Sequence, residues 1–303
     1  VRWRGFGVVA AAVLVTIVLA GHRLIPDMGG NPGSVIETFL PWLGLSVPML
    51  APLGWWRRPR VALPAVLLPL IAWLVLFGPA LLPGDERQDL VAVQHNASDE
   101  NRDPAGTVRE LLRVSPDLVA LSEVLPEALP AYDAAFGAAY PHRVVHGTVA
   151  LWSRYPIAEE AALDIRPRAF ATDWNRGLRA AVRTPYGDIA VYVAHLPSVR
   201  MGVTGFATAP RNESAARLGA ALDAEPLGRV LLLGDLNGTV DDRGLKPVTT
   251  RLGTAPAFAF SWPARAPVAR IDQILGRGLT VTSLWSLPRT GSDHLPVAAR
   301  ITF

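Results

Sequence analysis

The chain contains no cysteine in 303 residues, which excludes disulfide frameworks, zinc ribbons, iron–sulfur centres and thiol nucleophiles. A cysteine-free chain tolerates either redox compartment. Lysine is almost missing as well, since Lys246 stands alone beside 28 arginines. Residues 85–303 have no surplus of positive charge: 23 basic residues meet 24 acids there, a net −1, whereas residues 1–84 hold six arginines against two acids, a net +4. The high pI of about 9.7 therefore belongs to the N-terminal segment. The larger part lacks the cationic excess that neutralises phosphates along a nucleic acid, which argues against a nucleic-acid partner. No Gly-x-Ser-x-Gly elbow announces a serine triad, and no His-x-x-x-His pair announces a helical zinc site. Internal repeats and low-complexity tracts are also lacking.

What is present divides the chain in two. Three stretches at 5–21, 38–56 and 61–84 are free of charge, or nearly so, for about the 20 residues a bilayer crossing needs. Two further spans follow the first, which ends in His22–Arg23 with no small-residue cleavage pattern; this argues against a cleaved signal peptide. The second stretch is the weakest, because Pro41, Pro48 and Pro52 remove backbone donors and Glu37 lies just before it. Arg2 and Arg4 precede the first span, and Arg57, Arg58 and Arg60 separate the second from the third. By the positive-inside rule these are cytoplasmic, so three crossings predict a multi-pass cell-membrane protein whose residues 85–303 lie outside the cytoplasm. A second stretch that failed to cross would reverse that orientation.

From Asp85 onward, short apolar runs alternate with Gly, Pro, Asp and Asn. Runs at 90–94, 118–121, 149–153, 189–195 and 230–233 predict strands, mostly too apolar on both faces for a solvent surface. Residues 107–114 and 213–224 predict helices, and 196–212 is the longest expected irregular stretch. That loop carries Met201, Val203 and Phe206, apolar residues a plain solvent loop seldom needs. Arg200 and Arg211, which flank it, read first as solvated loop arginines, the alternative being contacts to lipid head groups or to a substrate phosphate.

Polar clusters follow where the strands end: His95-Asn96, Ser122-Glu123, His195, Gly234-Asp235-Leu236-Asn237 and Gly291-Ser292-Asp293-His294, with Asp272 inside Arg270-Ile271-Asp272. Each alone is more often a turn, a cap or a structural histidine. Together they offer carboxylate, amide and imidazole groups that suit a hard divalent ion better than zinc, with positions left for phosphate.

The order Asn96, Glu123, Ser153-Arg154-Tyr155-Pro156-Ile157, His195, Gly234-Asp235-Leu236-Asn237, Arg270-Ile271-Asp272 and Ser292-Asp293-His294 resembles the endonuclease/exonuclease/phosphatase superfamily, which includes DNase I. The resemblance covers essentially all of 85–303. It implies a four-layer αββα sandwich of the DNase I type, here preceded by three transmembrane helices, and a phosphoric ester hydrolase dependent on magnesium or manganese. By the same resemblance Glu123, Asn96 and Asp293 bind the metal. Asp235 orients or deprotonates the attacking water, and Asn237 hydrogen-bonds a phosphate oxygen. His294 acts beside the scissile phosphate with Asp272 as its orienting partner, and His195 protonates the leaving oxygen. Arg176 and Arg179 stand where many phosphatase-like members bind substrate. Ser122-Glu123 replaces the frequent Gln-Glu pair, a mild departure.

Three spans before a compact catalytic domain, with His195-Leu196-Pro197-Ser198 and Gly234-Asp235-Leu236-Asn237-Gly238-Thr239, are also similar to the VanJ-type membrane proteins linked to teicoplanin resistance. That likeness implies a lipid-linked phosphate substrate such as undecaprenyl pyrophosphate at the outer membrane face. The alternatives are an extracytoplasmic nuclease or phospholipid phosphodiesterase, and a non-enzymatic envelope module.

Overall fold

The structure, a computed structural model, describes residues 5–57, 59–203 and 205–303. Arg2, Arg4 and Arg58, used above for orientation, lie outside the described residues. The chain forms two compact units, one of residues 1–83 with Gly202–Phe206 and the other of 84–201 with 207–303.

The first unit contains α1 (Phe6–Gly21), α2 (Pro32–Phe39), α3 (Ser46–Arg57) and α4 (Pro59–Phe77), with short 3₁₀ turns after α1, α2 and α4. Three helical stretches, Phe6–Leu24, Pro32–Arg57 and Arg60–Leu81, are long and apolar enough to cross a membrane. The second is broken, since Leu40–Leu45 tightens to 3₁₀ where Pro41 removes a donor. Inside this unit the Phe206 N–H donates to the Gly30 carbonyl (2.8 Å), Asn31 Nδ2 donates to the Phe206 carbonyl (2.6 Å), and the Phe39 and Phe206 rings meet edge-on.

The second unit is a mixed α/β sandwich. One sheet runs β12 (Thr280–Ser286), β13 (Val297–Thr302), β1 (Leu90–Asn96), β2 (Leu118–Ser122), β4 (Val149–Ser153), β3 (His142–His146). The other runs β11 (Asp272–Arg277), β10 (Val230–Asp235), β7 (Gly187–His195), β6 (Gly177–Thr184), β5 (Ile157–Ala162), and a small hairpin pairs β8 (Arg200–Gly202) with β9 (Gly205–Ala207). Leu90, Leu118, Leu151, Val191, Val193, Leu231, Leu233 and Ile274 interdigitate between the sheets. The outer face of the first sheet is covered by α5 (Pro104–Leu111) and α6 (Leu129–Phe136), through Val108, Leu111 and Phe136. On the second sheet lie α7 (Ala209–Ala224) and α8 (Lys246–Thr249), through Leu218, Leu222 and Val248. The central strands are buried on both faces, which is why they read as continuous apolar runs. Helix α7 starts at Ala209, four residues before its predicted start, because Pro210 suits the first turn of a helix.

Candidate active site

The register of the second sheet sets three functional side chains in one row. Asp235 at the end of β10 lies directly opposite His195 on one neighbour and Asp272 on the other. Directly opposed residues in a sheet point to the same face, so one imidazole and two carboxylates converge. In the first sheet Asn96 lies opposite Ser122, and Glu123 follows it in a left-handed backbone conformation (φ 57°). The turn before β13 supplies Ser292, Asp293 and His294. Its hydroxyl at Ser292 donates to the Asn96 carbonyl (2.7 Å) and accepts from the His294 N–H (3.0 Å), tying the turn to β1.

Asp235 is the hub. Its Oδ2 accepts from Asn96 Nδ2 (3.0 Å) and stands 3.7 Å from His195 Nε2 and 3.9 Å from His294 Nε2. The other oxygen, Oδ1, accepts from the Asn237 N–H (3.0 Å). Burial, helped by the negative charge of Asp272, pushes the Asp235 carboxyl up to about 7. His294 joins Asp272 through Nδ1 and Oδ2 at 2.7 Å. Burial opposes the charged form of His294, but Asp272 and Asp235 outweigh it and raise the imidazole to about 10. Burial likewise works against an ionised Asp272, and the His294 charge and hydrogen bond hold its carboxyl low nonetheless.

His195 differs sharply from His294. It is buried, and burial together with the adjacent Arg176 guanidinium (Nη1 at 3.2 Å from Nδ1) drives its imidazole well below the usual value, so the ring is neutral. Arg176 packs over the Trp174 ring and has no carboxylate partner among the described residues. Glu123 Oε1 lies 3.7 Å from His195 Nε2, and its carboxylate accepts no hydrogen bond among the described residues. Asn237 also adopts a left-handed backbone (φ 47°), and its Nδ2 donates to the Leu196 carbonyl (2.9 Å). Asp293 is exposed beside His294.

Arg179 does not join this group. Residues 176 and 179 are an odd number apart along an extended chain, so their side chains leave on opposite faces. Arg179 is held by Glu225 (2.9 and 3.0 Å) and Glu159 (2.8 Å), which corrects its expected place in substrate binding. Arg211 is no solvated loop arginine either, being fully buried at the start of α7. Ser261 joins the site's supports without any signal in the sequence: its buried Oγ accepts from the N–H groups of Ile271 and Asp272 (3.2 Å each) and fixes the start of β11. A serine in a Pro- and Ala-rich loop carries no motif that would mark it.

The ligand-capable atoms of Asp235, Asp272 and His294 lie within 4.8 Å of one another. The short His294–Asp272 bond makes that pair an oriented acid rather than two ligands. The unengaged Glu123 carboxylate, the Asn96 amide and Asp235 form an oxygen-rich rim that fits a hard cation.

Comparison with known proteins bears on the fold and the family. Among curated proteins none matches the sequence. A mannosyl-6-phosphatase from Bacteroides thetaiotaomicron superposes with a TM-score of 0.60 at 14% identity, over 71% of this chain and all of that one (100%). Sphingomyelinase C from Streptomyces griseocarneus gives 0.52 at 20% identity, covering 72% of this chain and 99% of its own. A Staphylococcus aureus beta toxin with bound magnesium ions gives 0.53 at 17% identity, with 70% and 99% covered. At such identities the likeness is one of fold. The sequence model of the endonuclease/exonuclease/phosphatase family matches residues 71–294, most of the chain, and the protein belongs to that family.

Proposed function

We propose that the protein is a membrane-anchored, divalent-metal-dependent phosphoesterase whose catalytic domain lies outside the cytoplasm and hydrolyses a lipid-linked phosphate or pyrophosphate. The observation that carries the chemistry is the row His195–Asp235–Asp272 facing His294, Asn96 and Glu123 across the two sheets. A magnesium or manganese ion held by Glu123 and Asn96, with Asp293 at the rim, would supply positive charge to the phosphate oxygens. Asp235, raised toward neutrality, takes a proton from the attacking water. His294, protonated and oriented by Asp272, donates from Nε2 to the leaving oxygen. Asn237 Nδ2 keeps a second hydrogen for a phosphate oxygen. The neutral His195 serves as a hydrogen-bonding group, so the proton-donor role first expected for it passes to His294. Arg176 meets a further substrate phosphate, as an arginine without a carboxylate partner can.

The lipid substrate rests on tethering. The third apolar helix ends at Leu81 and β1 begins at Leu90. At most roughly 3.5 Å per residue, that linker keeps the start of the sandwich within about 30 Å of the bilayer. Orientation rests on three crossings, which carry the chain from the cytoplasmic side to the outside before residue 85. Arg57 and Arg60 then fall on the cytoplasmic side.

The test is phosphate release from undecaprenyl pyrophosphate in detergent micelles, with magnesium or with EDTA, for wild type and His294→Ala. Metal-dependent release that falls at least ~100-fold in the variant is the expected outcome. The VanJ-type resemblance extends the proposal to teicoplanin resistance, which the same pair, expressed in a sensitive host, should show and lose in parallel. Metal-dependent cleavage of a phospholipid head group without release of lipid-linked phosphate would instead favour a phosphodiesterase.

A further inference from the structure

The buried guanidinium of Arg211 has no role in the chemistry above, yet two of its three bonds reach the segment that carries two of the reacting side chains. It is fully buried, a state that arginine tolerates only when its charge and donors are satisfied. Nε donates to Asn212 Oδ1 (2.8 Å) within its own helix, and Nη2 donates to Asp242 Oδ2 (2.8 Å), which neutralises it. Nη1 donates to the backbone carbonyl of Asn237 (3.2 Å). Charge neutralisation alone would need only Asp242, and a lysine could provide it. The third bond uses the planar fork of the guanidinium to reach a second segment at the same time.

The loop is shaped around this group. A Cβ on Gly238 would fall 2.1 Å from Nη1, and one on Gly244 would fall 2.7 Å from Nη2 and 2.1 Å from Asn212 Oδ1. Both positions leave space that the guanidinium occupies. Asp242 Oδ1 also accepts from the Gly244 N–H (2.8 Å), so the far end of the loop closes on the same carboxylate. Just before these anchors lies Asn237, a non-glycine residue in a left-handed conformation that its surroundings must enforce. Its N–H bonds Asp235 Oδ1, its side chain bonds the Leu196 carbonyl, and its own carbonyl is held by Arg211.

We infer that Arg211 is a positioning residue for this site: by holding the Asn237 carbonyl it maintains the left-handed turn that presents Asp235 to water and Asn237 to phosphate. The inference rests on the phosphoesterase reading for its catalytic consequence, and on the geometry alone for its structural one. Arg211→Lys keeps the charge opposite Asp242 but cannot reach both acceptors. In the full-length protein in detergent, turnover of bis(4-nitrophenyl) phosphate with magnesium should show kcat reduced at least tenfold and KM changed less than twofold, in a protein whose cooperative thermal transition shows it to be folded. A folded Arg211→Lys protein with kcat within twofold of wild type overturns the inference.

Should that protein not fold, the pair Arg211→Met with Asp242→Asn removes both charges together and carries the same expectation. Hydrogen exchange of the peptide covering 234–244 needs no substrate. It should accelerate in the Lys variant while peptides from the central strands do not change, and unchanged exchange in 234–244 also overturns the inference. If the wild type turns over neither undecaprenyl pyrophosphate nor the diester, the phosphoesterase reading fails, and the exchange measurement still decides whether Arg211 holds the loop.

Discussion

A charged side chain acquires its meaning from what it faces, and three arginines of this chain show it. Arg176 stands against a neutral histidine, Arg179 is locked between two glutamates, and Arg211 is sealed inside the protein. The sequence presents all three alike, because strand parity and burial are not written in a single residue. The motif residues are more legible: Asp235, Asp272 and His294 can be named from order and spacing, since Asp235 closes an apolar strand, Asp272 opens one, and His294 lies in the turn just before another. The left-handed backbone at Glu123 and Asn237 cannot, as neither is glycine. Arg179 yields a prediction about acid stability. Burial disfavours the charge on Glu225, but Arg179, with help from the Leu227 N–H and the Tyr192 hydroxyl, lowers its carboxyl to about 2 from a reference value of 4.5. A carboxyl depressed on folding adds stability that is complete above the unfolded pKa and disappears as pH falls toward the folded one. Glu225→Gln should therefore cost about 2 kcal/mol at pH 7, discounted for the exposed Glu159 partner, and progressively less between pH 4.5 and 2. Thermal unfolding of both proteins at pH 7 and pH 3 checks this; a cost independent of pH would contradict it.

Among the elements, the long apolar strands are legible nearly to their ends, whereas the stretch 196–212 is not. Its hairpin strands, Arg200–Gly202 and Gly205–Ala207, have three residues each and are too short to show alternation. The structure divides the apolar residues of that stretch between two circumstances. Phe206 packs on Phe39, while Met201 and Val203 are exposed. On the proposed membrane-anchored reading, exposed apolar side chains on this hairpin suit contact with lipid. Replacing Met201 and Val203 together by Ser should reduce turnover of a lipid pyrophosphate at least fivefold and leave turnover of a soluble diester within twofold, a difference of about 1 kcal/mol that measures lipid engagement. Equal loss on both substrates would remove the hairpin from the account of substrate access.

For the whole molecule, the charge division between residues 1–84 and 85–303 marks two unlike parts, and the packing places the change at Pro83 and Gly84. Which apolar stretch crosses is the least legible feature, because prolines in a bilayer and prolines in a re-entrant turn look the same in sequence. The missing cysteines make that question experimentally clean. In cells bearing an otherwise unlabelled chain, Met28→Cys should react with a membrane-impermeant maleimide applied from outside, and Arg60→Cys should react only after permeabilisation. Labelling of both, or of neither, from outside would refute the three-crossing topology.

The position of the reacting groups at the seam between the sheets has a further consequence. Asn96, Glu123 and His294 come from one sheet, whereas His195, Asp235 and Asp272 come from the other. On the proposed phosphoesterase reading, no fragment containing a single sheet should hold residual activity, and partial unfolding that slides the sheets apart should abolish turnover before either sheet loses its hydrogen bonds. Enzymatic activity is thus a gauge of sandwich alignment. Loss of turnover on heating should precede or coincide with the loss of strand structure, and never lag behind it.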